Sequence, residues 1–104
     1  MSDKGWIQLK RDILNWEFYK DLPIRVLWLH LLLRACAFET NCMGYRLIPG
    51  MLITTLPRLA EETGLTVQQV RTALRKLKEA GELGECTTNK FRILWIMDYD
   101  DWVH

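Results

Sequence analysis

The sequence predicts an α+β fold with a small antiparallel sheet, and three observations carry that prediction. Two helical runs, 56–63 and 66–79, meet at a tight turn centred on Gly64. Two runs of strand formers, 82–87 and 91–96, follow and are separated by the turn residues Thr88-Asn89-Lys90. A third strand-forming run, 51–54, comes directly before the first of these helices.

In chain order, Trp6-Ile7-Gln8-Leu9-Lys10 fits either a short strand or the start of a helix. Residues 11–19 read as a short helix with Ile13, Leu14 and Phe18 on one side. Leu22-Pro23 ends it, since proline restricts the residue before it and favours a new helix start after it. The next helix, 24–38, reads IRVLWLHLLLRACAF and is apolar nearly all the way round. Such a helix needs cover on most sides, from the centre of its own domain or from a partner subunit. Asn41 to Gly44 reads as a turn. Pro49-Gly50 then makes a tight turn between 45–48 and 51–54, of which at least the second is a strand.

Thr55 caps the helix over 56–63, where Pro57 is tolerated in the first turn. Gly64 ends that helix, because a left-handed residue costs least without a side chain. Thr66 opens the next helix, and Gln69 three positions on completes a capping box. Val70, Ala73, Leu74 and Leu77 mark its buried side, and Gly81 closes it. Two short helices at a glycine turn are a helix-turn-helix. The hairpin behind them is a wing. The expected molecule is a single winged helix-turn-helix domain over 1–104. It comprises an N-terminal helical extension at 1–44, a winged-helix core at 45–97 and an acidic tail at 98–104.

Composition limits the function. The chain has 104 residues and a formal net charge of +1, which argues against a strongly cationic nucleic-acid coat. Three cysteines without CxxC spacing point to reduced thiols in a cytoplasmic setting. The spacing of His30, Cys36 and Cys42 is not that of zinc ligands, so no metal is expected. The N-terminus lacks the apolar run of a signal peptide, and the most apolar stretch is interrupted by Arg25, His30 and Arg34. No membrane association is expected. No phosphate-cradling glycine loop is present, and Asp98, Asp100 and Asp101 do not complete a cation-binding loop. A binding module without cofactor is expected rather than an enzyme.

Positive charge concentrates in one place. Residues 66–79 hold four basic side chains and one acidic, which is +3 against +1 for the chain and leaves −2 for the rest. With Val70, Leu74 and Leu77 inward, helical geometry places Gln68, Thr72, Arg75 and Glu79 outward, flanked by Gln69, Arg71 and Lys76. Glutamine and arginine pair with adenine and guanine edges in the major groove. Double-stranded DNA is therefore the expected partner, though a solvated amphipathic helix carries the same residue types. Arg58 near the start of the first helix of the motif, and Thr88, Asn89, Lys90 and Arg92 on the wing, are candidates for backbone contact. A polar hairpin tip has the same composition. Trp6, Trp16 and Trp28 fall in the N-terminal third and are candidates for a homodimer interface. The competing reading folds them over the apolar helix as core, and Trp102 is expected to pack on the domain or on a neighbour.

The run GWIQLKRDILNW, the apolar helix with Trp28-Leu29, the stretch IPGMLITTLPRLAEETGLTVQQVRTALRKLKEAGEL and the closing TNKFRILWIMDYDDW together resemble the N-terminal domain of phage replisome-organiser proteins. These belong with the DnaD-like primosome proteins, and the resemblance covers nearly the whole chain. It implies a winged-helix fold and a role in starting DNA replication on a phage or other mobile element. Through a second helical domain such proteins continue toward a replicative helicase or helicase loader. The resemblance also implies DNA contact or self-association for this domain, without choosing between them. A transcriptional regulator would use the same fold.

Overall fold

Leu22 starts the first α-helix of the computed structural model, which describes residues 6–103. Helix α1, Leu22–Arg34, begins at Asp21, whose Oδ1 accepts the Ile24 N–H at 3.2 Å, with Pro23 in the first turn. It ends four residues earlier than the hydrophobic pattern suggests. Ala35 is extended, and the backbone of Cys36 bonds instead to the next turn, its N–H to the Met51 carbonyl and its carbonyl to the Gly50 N–H.

The segment before α1 also departs from expectation. Only Arg11–Asn15 is helical, as a 3₁₀ turn, and Trp16 is extended. The extended backbone lets Trp16 reach across the fold. Its ring packs 5.2 Å from that of Trp28 and 5.1 Å from that of Trp102, and its Nε1 donates to Glu82 at 2.9 Å. Tertiary packing of one aromatic thus overrides the local helical pattern.

Strands β1 (Thr40–Cys42) and β2 (Tyr45–Leu47) form a separate two-stranded hairpin around Met43-Gly44. Both turn residues have positive φ, the backbone a two-residue hairpin turn requires. The expected turn at 41–44 therefore shrinks to two residues, and Thr40–Cys42 becomes a strand. Pro49-Gly50 does turn, with the Met51 N–H on the Ile48 carbonyl, but β2 does not pair across it.

Strand β3 (Met51–Thr54) enters a three-stranded antiparallel sheet of order β3-β5-β4, with β4 at Leu83–Thr87 and β5 at Arg92–Ile96. Leu52 faces Leu94 across one pair and Glu85 faces Leu94 across the other. Gly84 is opposite Trp95, and a Cβ there would run into the indole, so glycine makes room for the ring against the neighbouring strand.

Between β3 and β4 run α2 (Leu56–Thr63) and α3 (Val67–Glu79). Thr55 caps α2, Gly64 ends it at φ 81°, and Thr66 with Gln69 forms both halves of a capping box. The core is continuous from Ile13 through α1, α2 and α3 to Leu94, Ile96, Tyr99 and Val103. The expected acidic tail is part of this body. Helix α4, Tyr99–Trp102, packs Trp102 on Trp16 and Trp28, and Val103 bridges to Leu9. The fold is α+β, and a helix pair backed by a hairpin is compatible with a winged helix-turn-helix. Among the described residues no helix is long and apolar enough to cross a membrane.

Candidate nucleic-acid interface

Helix α3 buries Val70, Ala73, Leu74 and Leu77 and turns Gln68, Gln69, Arg71, Arg75 and Glu79 to the surface. The outward side chains hold one another along the helix. Gln68 donates to the Thr72 hydroxyl at 3.3 Å and accepts from Arg71 at 3.4 Å, while Arg75 lies 3.5 Å from Glu79. Exposed pairs of this kind are worth only a few tenths of a kcal/mol, about 0.3–0.5 in a helix, so they exchange readily for phosphate or base contacts. Arg71 has no carboxylate partner among the described residues.

Not every expected contact residue is equally available. Lys76 is half-buried and 3.3 Å from Asp21, the residue that also caps α1. Thr72 is half-buried as well, beside the cleft between the start of α1 and α3. The side-chain oxygen of Gln69 is committed to the Thr66 N–H at 3.0 Å, which leaves only its amide N–H groups to a partner.

Arg92 is the clearest departure. Its guanidinium pairs with Glu85 across β4 and β5, and Lys78 from α3 binds the other oxygen of the same carboxylate. Burial raises the proton affinity of Glu85, whose side chain is only 7% exposed, but hydrogen bonds from Lys78 and Arg92 outweigh it and hold the carboxyl below its usual range. Arg92 is therefore a brace between wing and helix rather than an outward contact. Sequence reasoning missed this triad, because its members are seven residues apart and their convergence depends on strand pairing.

The wing tip is held by one hydroxyl. Thr88 Oγ1 accepts from the N–H groups of Lys90 and Phe91, and the Thr88 N–H donates to the Phe91 carbonyl at 2.8 Å. Asn89 and Lys90 stand exposed at the tip. A cleft runs between this tip and the start of α2, with Thr55 and Pro57 on one side and Asn89 and Lys90 on the other. Arg58 stands in the first turn of α2, exposed and 3.3 Å from Glu62. Glu62 also accepts from His30 at 2.8 Å and lies 3.6 Å from Arg34. The His30 hydrogen bond, opposed by partial burial and aided by Arg58 and Arg34, lowers its proton affinity.

The tryptophans divide. Trp28 is wholly buried and Trp16 half-buried in the cluster with Trp102, so these two form the chain's own core and Trp28 has no surface to offer a partner. Among the described residues the Trp28 indole N–H has no hydrogen-bond acceptor. Its ring packs against those of Trp16 and Trp102. Trp6 is exposed. His30 and Cys36 are likewise engaged apart from each other, His30 with Glu62 and the Cys36 thiol with the Ile48 carbonyl. Among the described residues no three His, Cys, Asp or Glu side chains converge as metal ligands.

The chain matches no family model, no curated protein and no solved structure.

Proposed function

We propose that this chain is a DNA-binding module rather than an enzyme, and that it engages duplex DNA in the initiation of replication. Helix α3 enters the major groove, with the wing tip and the start of α2 on the flanking phosphates. The observation that carries this reading is the division of α3: one side buries Val70, Ala73, Leu74 and Leu77, and the other presents Gln68, Arg71 and Arg75 with only weak, exposed ties. Arg58, Asn89 and Lys90 supply backbone contacts. Arg92 and Lys76 hold the wing and α1 in place. The place in replication, with a helicase or its loader as the further partner, rests on the resemblance to replisome-organiser proteins.

Duplex titration over a salt series tests the binding. The logarithm of the binding constant should fall linearly with the logarithm of salt, with a slope of about −0.9 per phosphate neutralised. Failure to bind any duplex at low salt sinks the reading.

A second reading, self-association, is favoured by a specific feature of α1. Leu22, Val26 and Leu33 are exposed and Leu29 is half-buried, and their spacing of four, three and four residues puts them in one stripe. The core side of the same helix is Ile24, Leu27, Trp28, Leu31 and Leu32. The homodimer interface is therefore this stripe rather than Trp16 and Trp28. Val26→Glu with Leu33→Glu should convert a dimer to a monomer in sedimentation at high concentration. A wild-type mass that stays monomeric removes this reading.

A further inference from the structure

We propose that the β1–β2 hairpin and the wing tip together form a second nucleic-acid site, one that takes an unpaired DNA strand. The two hairpins are joined by an edge-to-face contact between Tyr45 and Phe91, with ring centroids 5.6 Å apart and planes at 89°. Phe91 is half-buried, and Tyr45 reaches the surface beyond it. Tyr45 is 41% exposed, and Met43 at the hairpin turn is 64% exposed.

A shallow depression between the hairpins is lined by Met43, Tyr45, Asn89, Lys90 and Phe91. It shares Met43, Lys90 and Phe91 with a second depression that reaches Arg34 and Arg58. No carboxylate lines either one. The depression beside Trp16 and Trp102 has the opposite character, with Asp12, Glu82, Asp98 and Asp101 against Lys10 alone. A polyanion is drawn to the first surface and repelled by the second. Arg34 and Arg58 share Glu62 with His30, so one carboxylate does not neutralise them.

The aromatic rings decide which nucleic acid fits. In a duplex the base faces are hidden in the stack, and the Tyr45 ring beside Lys90 has nothing to stack on. Unpaired bases present their faces, and stacking on aromatic side chains beside a cationic track is how single strands are held without sequence preference. The site shares Asn89, Lys90 and Arg58 with the duplex reading, but its stacking residues Tyr45, Met43 and Phe91 are not on α3, so the two are tested separately.

The test is fluorescence anisotropy with labelled oligothymidylate of about 15 nucleotides, which spans a single-strand site of ordinary size. The same proteins are titrated in parallel with a duplex. Wild type should bind the oligothymidylate. Tyr45→Ala should weaken that binding by about 5- to 150-fold, the usual worth of one stacked base, and leave duplex binding intact. Tyr45→Phe keeps the ring and should keep the affinity, which separates stacking from any loss of hairpin structure. Lys90→Ala should flatten the salt slope for oligothymidylate by about 0.7. Arg71→Ala with Arg75→Ala should weaken the duplex and spare the single strand. The proposal is overturned if wild type does not bind oligothymidylate, if Tyr45→Ala binds it as wild type does, or if Tyr45→Ala weakens both ligands equally. Loss of duplex binding alone would strike the duplex reading and leave this site standing.

Discussion

Helices α1 and α3 are the same length, thirteen residues each, and they pack on one another, yet their surfaces are unlike. Helix α3 is divided cleanly, with four apolar side chains inward and amides and guanidinium groups outward. Helix α1 has a buried apolar face and, on its other side, a second stripe of Leu22, Val26, Leu29 and Leu33. The lesson is that a one-sided pattern shows both what a helix buries and what it offers. A helix apolar all round shows only that it needs more cover than solvent gives. In α3 the outward face suits a charged ligand; in α1 it suits another apolar surface.

Three substitutions sharpen that contrast. The largest effect belongs to the shared core. Leu74→Ala should lower unfolding free energy by about 2–5 kcal/mol in denaturant titration, since it empties a site with no exposure to speak of. A loss below about 1 kcal/mol would mean that α3 is rotated about its axis, with Leu74 at the surface.

Next comes the brace between α3 and the wing. Glu85→Gln should cost about 1.5–3 kcal/mol, the range for hydrogen bonds to charged groups. Because the folded carboxyl titrates below its ordinary value of 4.5, its contribution is present above that pH and fades as pH falls through the lower folded value. Stability measured from pH 6 downward should therefore drop less steeply in Glu85→Gln than in wild type. Parallel curves would mean that the triad does not stabilise the fold.

The smallest effect tests the second stripe. Leu33→Ala should change monomer stability by no more than about 0.5 kcal/mol, as surface positions usually do. If it costs as much as Leu74→Ala at a concentration where the protein is monomeric, the stripe is core and the contrast between the helices disappears.

The middle of the molecule was readable because its signals are local. Thr55, Gly64, Thr66 with Gln69 and Gly81 are all caps or turns whose chemistry acts within a few residues, and the structure places each as expected. The elements that differ are governed by distant contacts. Trp16 gives up helical backbone to join Trp28 and Trp102, and α1 stops at Arg34 so that Cys36 can pair with Gly50 and Met51. Periodicity alone placed Gln68, Arg75 and Glu79 outward as the structure does, but it also placed Thr72 there, which is half-buried beside α1. The pairing of Lys76 with Asp21, and of Arg92 and Lys78 with Glu85, was not legible, because each joins elements remote in sequence. The β1–β2 hairpin had one signal, a glycine after Met43 flanked by extended runs. The sequence placed a turn at 41–44 and another at Pro49-Gly50 but assigned no strand partner to 45–48, because pairing across Met43-Gly44 is settled by backbone hydrogen bonds that this single signal does not mark.

The central claim is that the outward face of α3 is a DNA-reading surface, and the most direct measurement is a duplex salt titration of Arg71→Ala/Arg75→Ala beside wild type. The double variant should fold normally, bind more weakly, and show a salt slope shallower by about one unit for each phosphate it no longer neutralises. Equal affinity and equal slope in a folded double variant would contradict the claim, and α3 would then be an ordinary solvated helix.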